Sequence, residues 1–222
     1  MTVGDTEDNT ERAGRGRLDK RRAIVAAALR VFARDGYAHA SIDAIAAEAG
    51  VAKPTIYNHL GGKENLFRYV LAETASLANA KTMAALNAFP TDPADLESEL
   101  LTVAQRLVDC YCDEQSAAVR RLLYAEVARF PDLFEAVRAS GPNQFIEALA
   151  GRLARLANAG HLDIADPIRA ANQFISLICD ELPMRTAMGG QLPDDTEIKS
   201  VVTSGVDTFV RAFGPRPDPG AA

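Results

Sequence analysis

The chain has 222 residues, with 24 Lys+Arg against 30 Asp+Glu and a formal net charge of −6. Hydrophobic residues make up 48% of it, which excludes a disordered chain, because that state needs low hydrophobicity and high net charge. No apolar run reaches the ~18 residues that span a bilayer, so no membrane partner is expected, and the polar, acidic start from Met1 to Glu11 reads as no secretory signal.

Taken in chain order, every predicted element is a helix. Residues 1–10 carry three acids and no base and are expected to form a disordered tail. Ile24, Ala27, Ala28, Val31 and Phe32 repeat at helical spacing from about Leu18 to Arg34, and Gly36 follows as a stop. Ser41 is a good N-cap for a short second helix with Asp43 in its first turn, and Gly50 ends it. A third short helix starts at Pro54, and Gly61-Gly62 breaks the chain again. Leu66, Phe67, Val70, Leu71, Thr74, Leu77 and Ala78 then mark a long amphipathic helix reaching toward Phe89 and Pro90. Later helices are placed near 93–113, 115–129, 131–139, 142–159, 165–188 and 194–213, several opened by proline. The Pro-rich residues 214–222 read as a second disordered tail. No strand signal is seen. The fold class is therefore all-α, with a small unit at 11–65 joined by the long helix to a larger one at 66–213.

The charge is unevenly divided. Residues 1–10 carry −3, residues 11–70 carry +5 and residues 71–222 carry −8. The acidic total argues against a nucleic-acid partner, yet the basic quarter argues for one. Cys110, Cys112 and Cys179 are odd in number and lack framework spacing. His39, His59 and His161 form no metal spacing. Core thiols in a reducing cytoplasm are expected, with no metal and no cofactor.

The informative segment is Ser41–Lys63, SIDAIAAEAGVAKPTIYNHLGGK. A short helix, a turn containing Gly50 and a second short helix make a helix-turn-helix pattern. Ile42, Ile45 and Ala49 line one inward face, and Val51, Ile56 and Leu60 can meet them. The second helix is otherwise polar: Lys53, Thr55, Tyr57, Asn58 and His59 offer short hydrogen-bonding groups suited to phosphates and base edges. Arg12, Arg15, Arg17, Lys20, Arg21 and Arg22 could supply an arm along the phosphates.

The stretch Arg17–Leu71 resembles the DNA-binding domain of the tetracycline-repressor (TetR) family of bacterial regulators. Phe32, Gly36-Tyr37, Ile45-Ala46, Ala49-Gly50-Val51, Thr55-Ile56-Tyr57, His59, Lys63 and Leu66 carry the match. Leu60 stands where the family usually has Phe, and Gly62 where Ser is common. The resemblance implies a recognition helix on which Lys53, Thr55 and Asn58 reach base edges. It places Pro54 against a thymine methyl, and Tyr57 and His59 on phosphates. Ser41 and Lys63 become phosphate anchors at helix N-termini, and Arg17 belongs to the arm. Partners follow: double-stranded operator DNA, a hydrophobic small-molecule effector and a second copy of the chain.

Segments such as Leu122–Phe134 resemble the C-terminal halves of the multidrug-efflux type of the same family, which implies a helical ligand pocket. Cys110, Tyr111, Tyr124, Phe145, Phe174, Leu177 and Ile178 are its candidate lining, though each also fits plain core. The apolar faces near 142–159 and 194–213 are assigned to an intersubunit four-helix bundle through Leu149, Leu153, Val202, Val206 and Phe209. Packing within one subunit is the alternative. Gly151 and Gly205 lie inside these faces, where a close helix approach would justify them. The reading is a ligand-released, homodimeric repressor on a near-palindromic operator. An enzyme finds no catalytic order of residues in the sequence, and a carrier with a vestigial head does not explain the polar recognition face.

Overall fold

The computed structural model describes residues 4–90, 92–185 and 193–215, with the side chains of 4–17 and of His59 left aside. Among the described residues the chain is eleven helices: α1 (Gly4–His39), α2 (Ile42–Ala49), α3 (Lys53–Leu60), α4 (Lys63–Asn87), α5 (Leu96–Cys112), α6 (Glu114–Ala125), α7 (Pro131–Ser140), α8 (Pro142–Asn158), α9 (Pro167–Cys179), α10 (Leu182–Arg185) and α11 (Asp195–Phe213). The all-α expectation holds. Residues 4–10, expected to be a disordered tail, are helical. The expected tail at 216–222 lies outside the described residues.

Local chemistry sets the boundaries. Asp95, Asp113, Asp166 and Asp194 each stand before a helix, and each side chain accepts a backbone N–H from its first turn, satisfying donors that the helix itself leaves open. Around Pro183 the expected single helix 165–188 divides into α9 and α10. Asp180 and Glu181 between them are exposed, and Glu181 pairs with Arg185 at 2.8 Å.

Two hydrophobic cores form. The first joins Ile24, Val31, Phe32, Tyr37, Ile45, Ile56, Leu66, Phe67, Val70 and Leu71 to Val119, Leu122, Phe130, Leu133 and Val137. This core thus extends past α3 to take in the start of α4 and residues of α6 and α7. The second core gathers Leu86 and Phe89 with the inner faces of α5, α8, α9 and α11. Helix α4 contributes to both, so it ties the two units together rather than bridging open space.

Here the expected dimer residues are corrected. Leu149, Leu153, Val202, Val206 and Phe209 are all buried inside the subunit. They pack with Phe174, Ile178 and the α5 leucines in the second core, and the Phe174 and Phe209 rings meet edge-on with centroids 4.9 Å apart. The apolar stripes are real, but the chain's own α5 and α9 cover them. Gly205 does mark a close approach, again within the subunit. A Cβ there would sit 2.6 Å from the Leu177 carbonyl oxygen of α9. Gly151 has no such neighbour: its nearest atom would be Arg155 Nη1 at 4.0 Å.

Candidate nucleic-acid interface

The α2–turn–α3 unit is built from the expected parts. The Ser41 Oγ accepts the Ala44 N–H at 3.1 Å, capping α2. Gly50 ends it with φ 65° and ψ 32°, its N–H reaching Ala46 and Ala47 carbonyls. That left-handed conformation is one that residues with a Cβ resist, and it turns the chain sharply into α3. Ile42, Ile45, Ala46, Ile56 and Leu60 are buried together, with Ala49 and Val51 half-buried beside them. This seam fixes the rotation of α3. With Ile56 and Leu60 held inward, Lys53, Pro54, Tyr57 and Asn58 are exposed and Thr55 is half-buried. One outward face therefore carries five of the expected DNA-contacting residues. The side chains of His59 and Arg17 lie outside the described residues.

The two expected cationic contacts, Lys53 and Lys63, are already engaged within the chain. Lys53 Nζ lies 2.8 and 2.9 Å from the two carboxylate oxygens of Asp43. That bond raises the Lys53 pKa above its ordinary value. Lys63 Nζ donates to the Ala38 carbonyl at 3.0 Å and lies 4.7 Å from the Tyr37 ring centre. The Arg129 guanidinium, from the α6–α7 turn, lies at the same 4.7 Å from that ring. Tyr37 itself packs edge-on against Phe67 and Phe130, at 4.8 and 5.0 Å between centroids. The expected anchor Lys63 thus rests on an aromatic cluster that Phe130 and Arg129 of the larger half complete. Spacing alone did not reveal Asp43, Phe130 or Arg129 as parts of this site.

Of the seven expected pocket residues, Phe145, Phe174, Ile178, Tyr111 and Leu177 belong to the second core or pack against it. Phe145, Phe174 and Ile178 are buried in the second core, and Cys110, Tyr111 and Leu177 are half-buried. Tyr124 is 58% exposed and faces Phe134 of α7. Tyr111 carries the Arg120 guanidinium 3.5 Å above its ring centre. Burial pushes the Tyr111 phenol and the Cys179 thiol up to about 12, and it raises Cys110 and Cys112 as well. These groups stay neutral near pH 7, which suits packing rather than nucleophilic chemistry. A cleft of about 420 Å³ opens elsewhere, between α4 and the α5–α6 junction. Thr74, Leu77, Ala78, Lys81, Ala84, Asp113 and Ser116 are among its walls, and none of the seven expected residues is. Among the described residues no cluster of metal-ligating side chains occurs, and no helix is long and apolar enough to cross a membrane.

The comparison with known proteins agrees with this geometry. Residues 24–70 match the family model described as bacterial regulatory proteins, tetR family, and residues 98–215 match that of the AefR-like transcriptional repressor C-terminal domain. The chain belongs to the TetR family of transcription regulators. It is a DNA-binding protein and not an enzyme. Its curated relatives include the HTH-type transcriptional repressor AcnR of Corynebacterium efficiens, 26% identical over 90% of this chain and 95% of that one. A TetR-family regulator from Mesorhizobium loti superposes with a TM-score of 0.79 at 29% identity, over 89% of this chain and 98% of that one. The flavonoid-responsive regulator FrrA gives a TM-score of 0.63 at 32% identity, with the same coverage of both chains.

Proposed function

We propose that this TetR-family protein is a homodimeric repressor that leaves a near-palindromic operator when a hydrophobic small molecule occupies its larger half. The observation that carries the DNA-reading part is the outward face of α3. Among its described side chains Ile56 and Leu60 are the buried ones and Thr55 is half-buried, which leaves Lys53, Pro54, Tyr57 and Asn58 exposed on a short helix. In a major groove, Asn58 suits adenine and Lys53 suits guanine, while Tyr57 and Lys63 hold phosphates. Two such heads on a twofold axis meet successive grooves when set ~34–36 Å apart.

Dimerisation uses a face other than the buried one. Ile168 on α9 is an exposed large apolar residue, and Ser200, Thr203 and Ser204 are short, exposed side chains on α11. A second copy can approach closely there, and Ser204→Arg should release monomers in light scattering. FrrA is flavonoid-responsive, which supports an aromatic effector here. Such a ligand acts only through different affinity for the DNA-bound and released conformers. Helix α4 is the lever, since it starts at the Lys63 anchor and ends in the second core.

The test uses fluorescence anisotropy on duplexes that the wild-type protein selects from random sequence. The Tyr57→Ala, Lys63→Ala double variant should lose binding, and a panel of flavonoids should displace the wild type. Unchanged binding by the double variant would overturn the assignment of this face.

A further inference from the structure

The pairing of Asp43 with Lys53 has a consequence beyond helix stability. Both side chains are well exposed, 70% for Asp43 and 47% for Lys53, and exposed pairs contribute little to folding. Their location is the unusual part. Asp43 lies in the first turn of α2, and Lys53 is the first residue of α3. The pair therefore joins the N-termini of the two helices of the DNA-reading unit. A carboxylate on this face repels phosphates, and a lysine at a helix N-terminus opposes the helix dipole. Asp43 suits the dipole of its own helix α2 but not a DNA-facing surface, whereas Lys53 alone is unfavourable at the start of α3. Helix α3 has no acid in its own first turn and no side-chain cap, so Asp43 supplies the compensating charge from ten positions upstream.

We propose that Asp43 is a positioning residue that sets sequence specificity, holding Lys53 in a neutral pair that is exchanged only for an operator base. On non-cognate DNA, Lys53 keeps its carboxylate partner and displaces no counterion, so the sequence-independent part of binding stays weak. On the operator, a guanine edge with two acceptors, O6 and N7, replaces the two carboxylate oxygens. The pair thus lowers non-specific affinity more than specific affinity. This rests on α3 being the reading helix.

The test compares wild type, Asp43→Asn, Lys53→Gln and the double variant. Each is titrated from 50 to 300 mM salt against a duplex selected by the wild type and against a random-sequence duplex. Asp43→Asn keeps the side-chain shape and its place in the turn, and thermal melts confirm folding. The expected result is random-duplex binding tightened about two- to fivefold. Its salt slope should steepen by about 0.9, and the specificity ratio should fall. In the Lys53→Gln background the same Asp43→Asn change should leave the slope unaltered, because the cation it frees is gone. An unchanged ratio and slope in Asp43→Asn, or the same slope change without Lys53, overturns the proposal. Failure of the wild type to select any duplex would instead count against α3 as the reading helix.

Discussion

Replacing Gly205 with alanine should destabilise the protein, although alanine is the better helix former. The position is inside α11, so helix propensity alone predicts a gain of ~1 kcal/mol. The structure opposes that gain. The added Cβ would lie 2.6 Å from the Leu177 carbonyl oxygen, 2.9 Å from its carbon and 3.0 Å from Ile178 Cγ2. The two closest are backbone atoms of α9, which no rotamer change can move. Ordinary contact begins at 3.4 Å, so α9 and α11 must part by about 0.8 Å along a seam that also holds the Phe174–Phe209 ring pair. Overpacking of this kind costs up to ~3 kcal/mol, and subtracting the propensity gain leaves a loss of ~2 kcal/mol. For a chain of this size that lowers the Tm by roughly 4–8 °C. Gly151→Ala is the internal control. Its Cβ would meet nothing nearer than 4.0 Å, so it should raise the Tm by roughly 2–4 °C. Calorimetry on both variants checks the signs. A Gly205→Ala protein as stable as wild type would refute the close approach of α9 and α11.

Other perturbations have defined outcomes. Phe130→Ala removes the ring that meets Tyr37 and Phe67 at 5.0 and 5.4 Å. It should cost ~3–5 kcal/mol in urea unfolding and speed hydrogen exchange in α1–α4. Asp113→Ala removes a cap that accepts the N–H groups of Gln115 and Ser116, so it should cost ~1–2 kcal/mol at pH 7. Burial pushes the Asp113 carboxyl up, but its bonds to Ser116 and Gln115 and the nearby Lys81 outweigh that and hold it below 3.8. Its contribution is therefore present above the ordinary Asp value and lost as pH falls through the lowered one. The Tm difference between wild type and Asp113→Ala should accordingly vanish in acid. Asn58→Ala should weaken operator binding by ~1–3 kcal/mol and leave random-duplex binding unchanged in the same anisotropy assay.

The helix-turn-helix was legible because its signals are local. A Ser cap, a turn glycine, the buried Ile42, Ile45 and Ala46 of α2 and the buried Ile56 and Leu60 of α3 determine which way α3 faces, and the exposure of Lys53, Pro54, Tyr57 and Asn58 follows from that rotation. The dimer residues failed for a different reason. Periodicity tells which stripe of a helix is apolar, but the same stripe serves a partner subunit or the chain's own α5 and α9. Leu149 and Phe209 met the second. Gly205 shows the same limit, since the close approach was readable and the identity of the approaching helix was not. The exposure of Tyr124 is readable from spacing. Ser116, Val119, Leu122 and Leu123 form the buried stripe of α6, and Tyr124 falls off it. The Asp43–Lys53 pair could not be read from adjacency, because it depends on how the turn at Gly50 sets two helix N-termini side by side.

The packing also constrains how the halves can move. Lys63 and Arg129 both lie 4.7 Å from the Tyr37 ring centre, and Phe130 closes the core that holds α3 in place. A rotation of α1–α3 alone would open ring contacts of 4.8–5.4 Å and uncover Phe67 and Phe130. It would also strain the ion pair of Arg68 with Asp132, at 2.7 Å across α4 and α7. Burying large aromatic side chains is worth ~1.5–3 kcal/mol each, so the head moves at least cost with the α6–α7 corner attached. The deformable seam then runs between that corner and the second core, crossed by α4. The 420 Å³ cleft, whose walls include Thr74 and Ala84 of α4 and Ser116 of α6, lies along it. Its Lys81–Asp113 contact of 3.6 Å is looser than the head's own pairs, which is where a displacement of α4 against α6 meets least resistance.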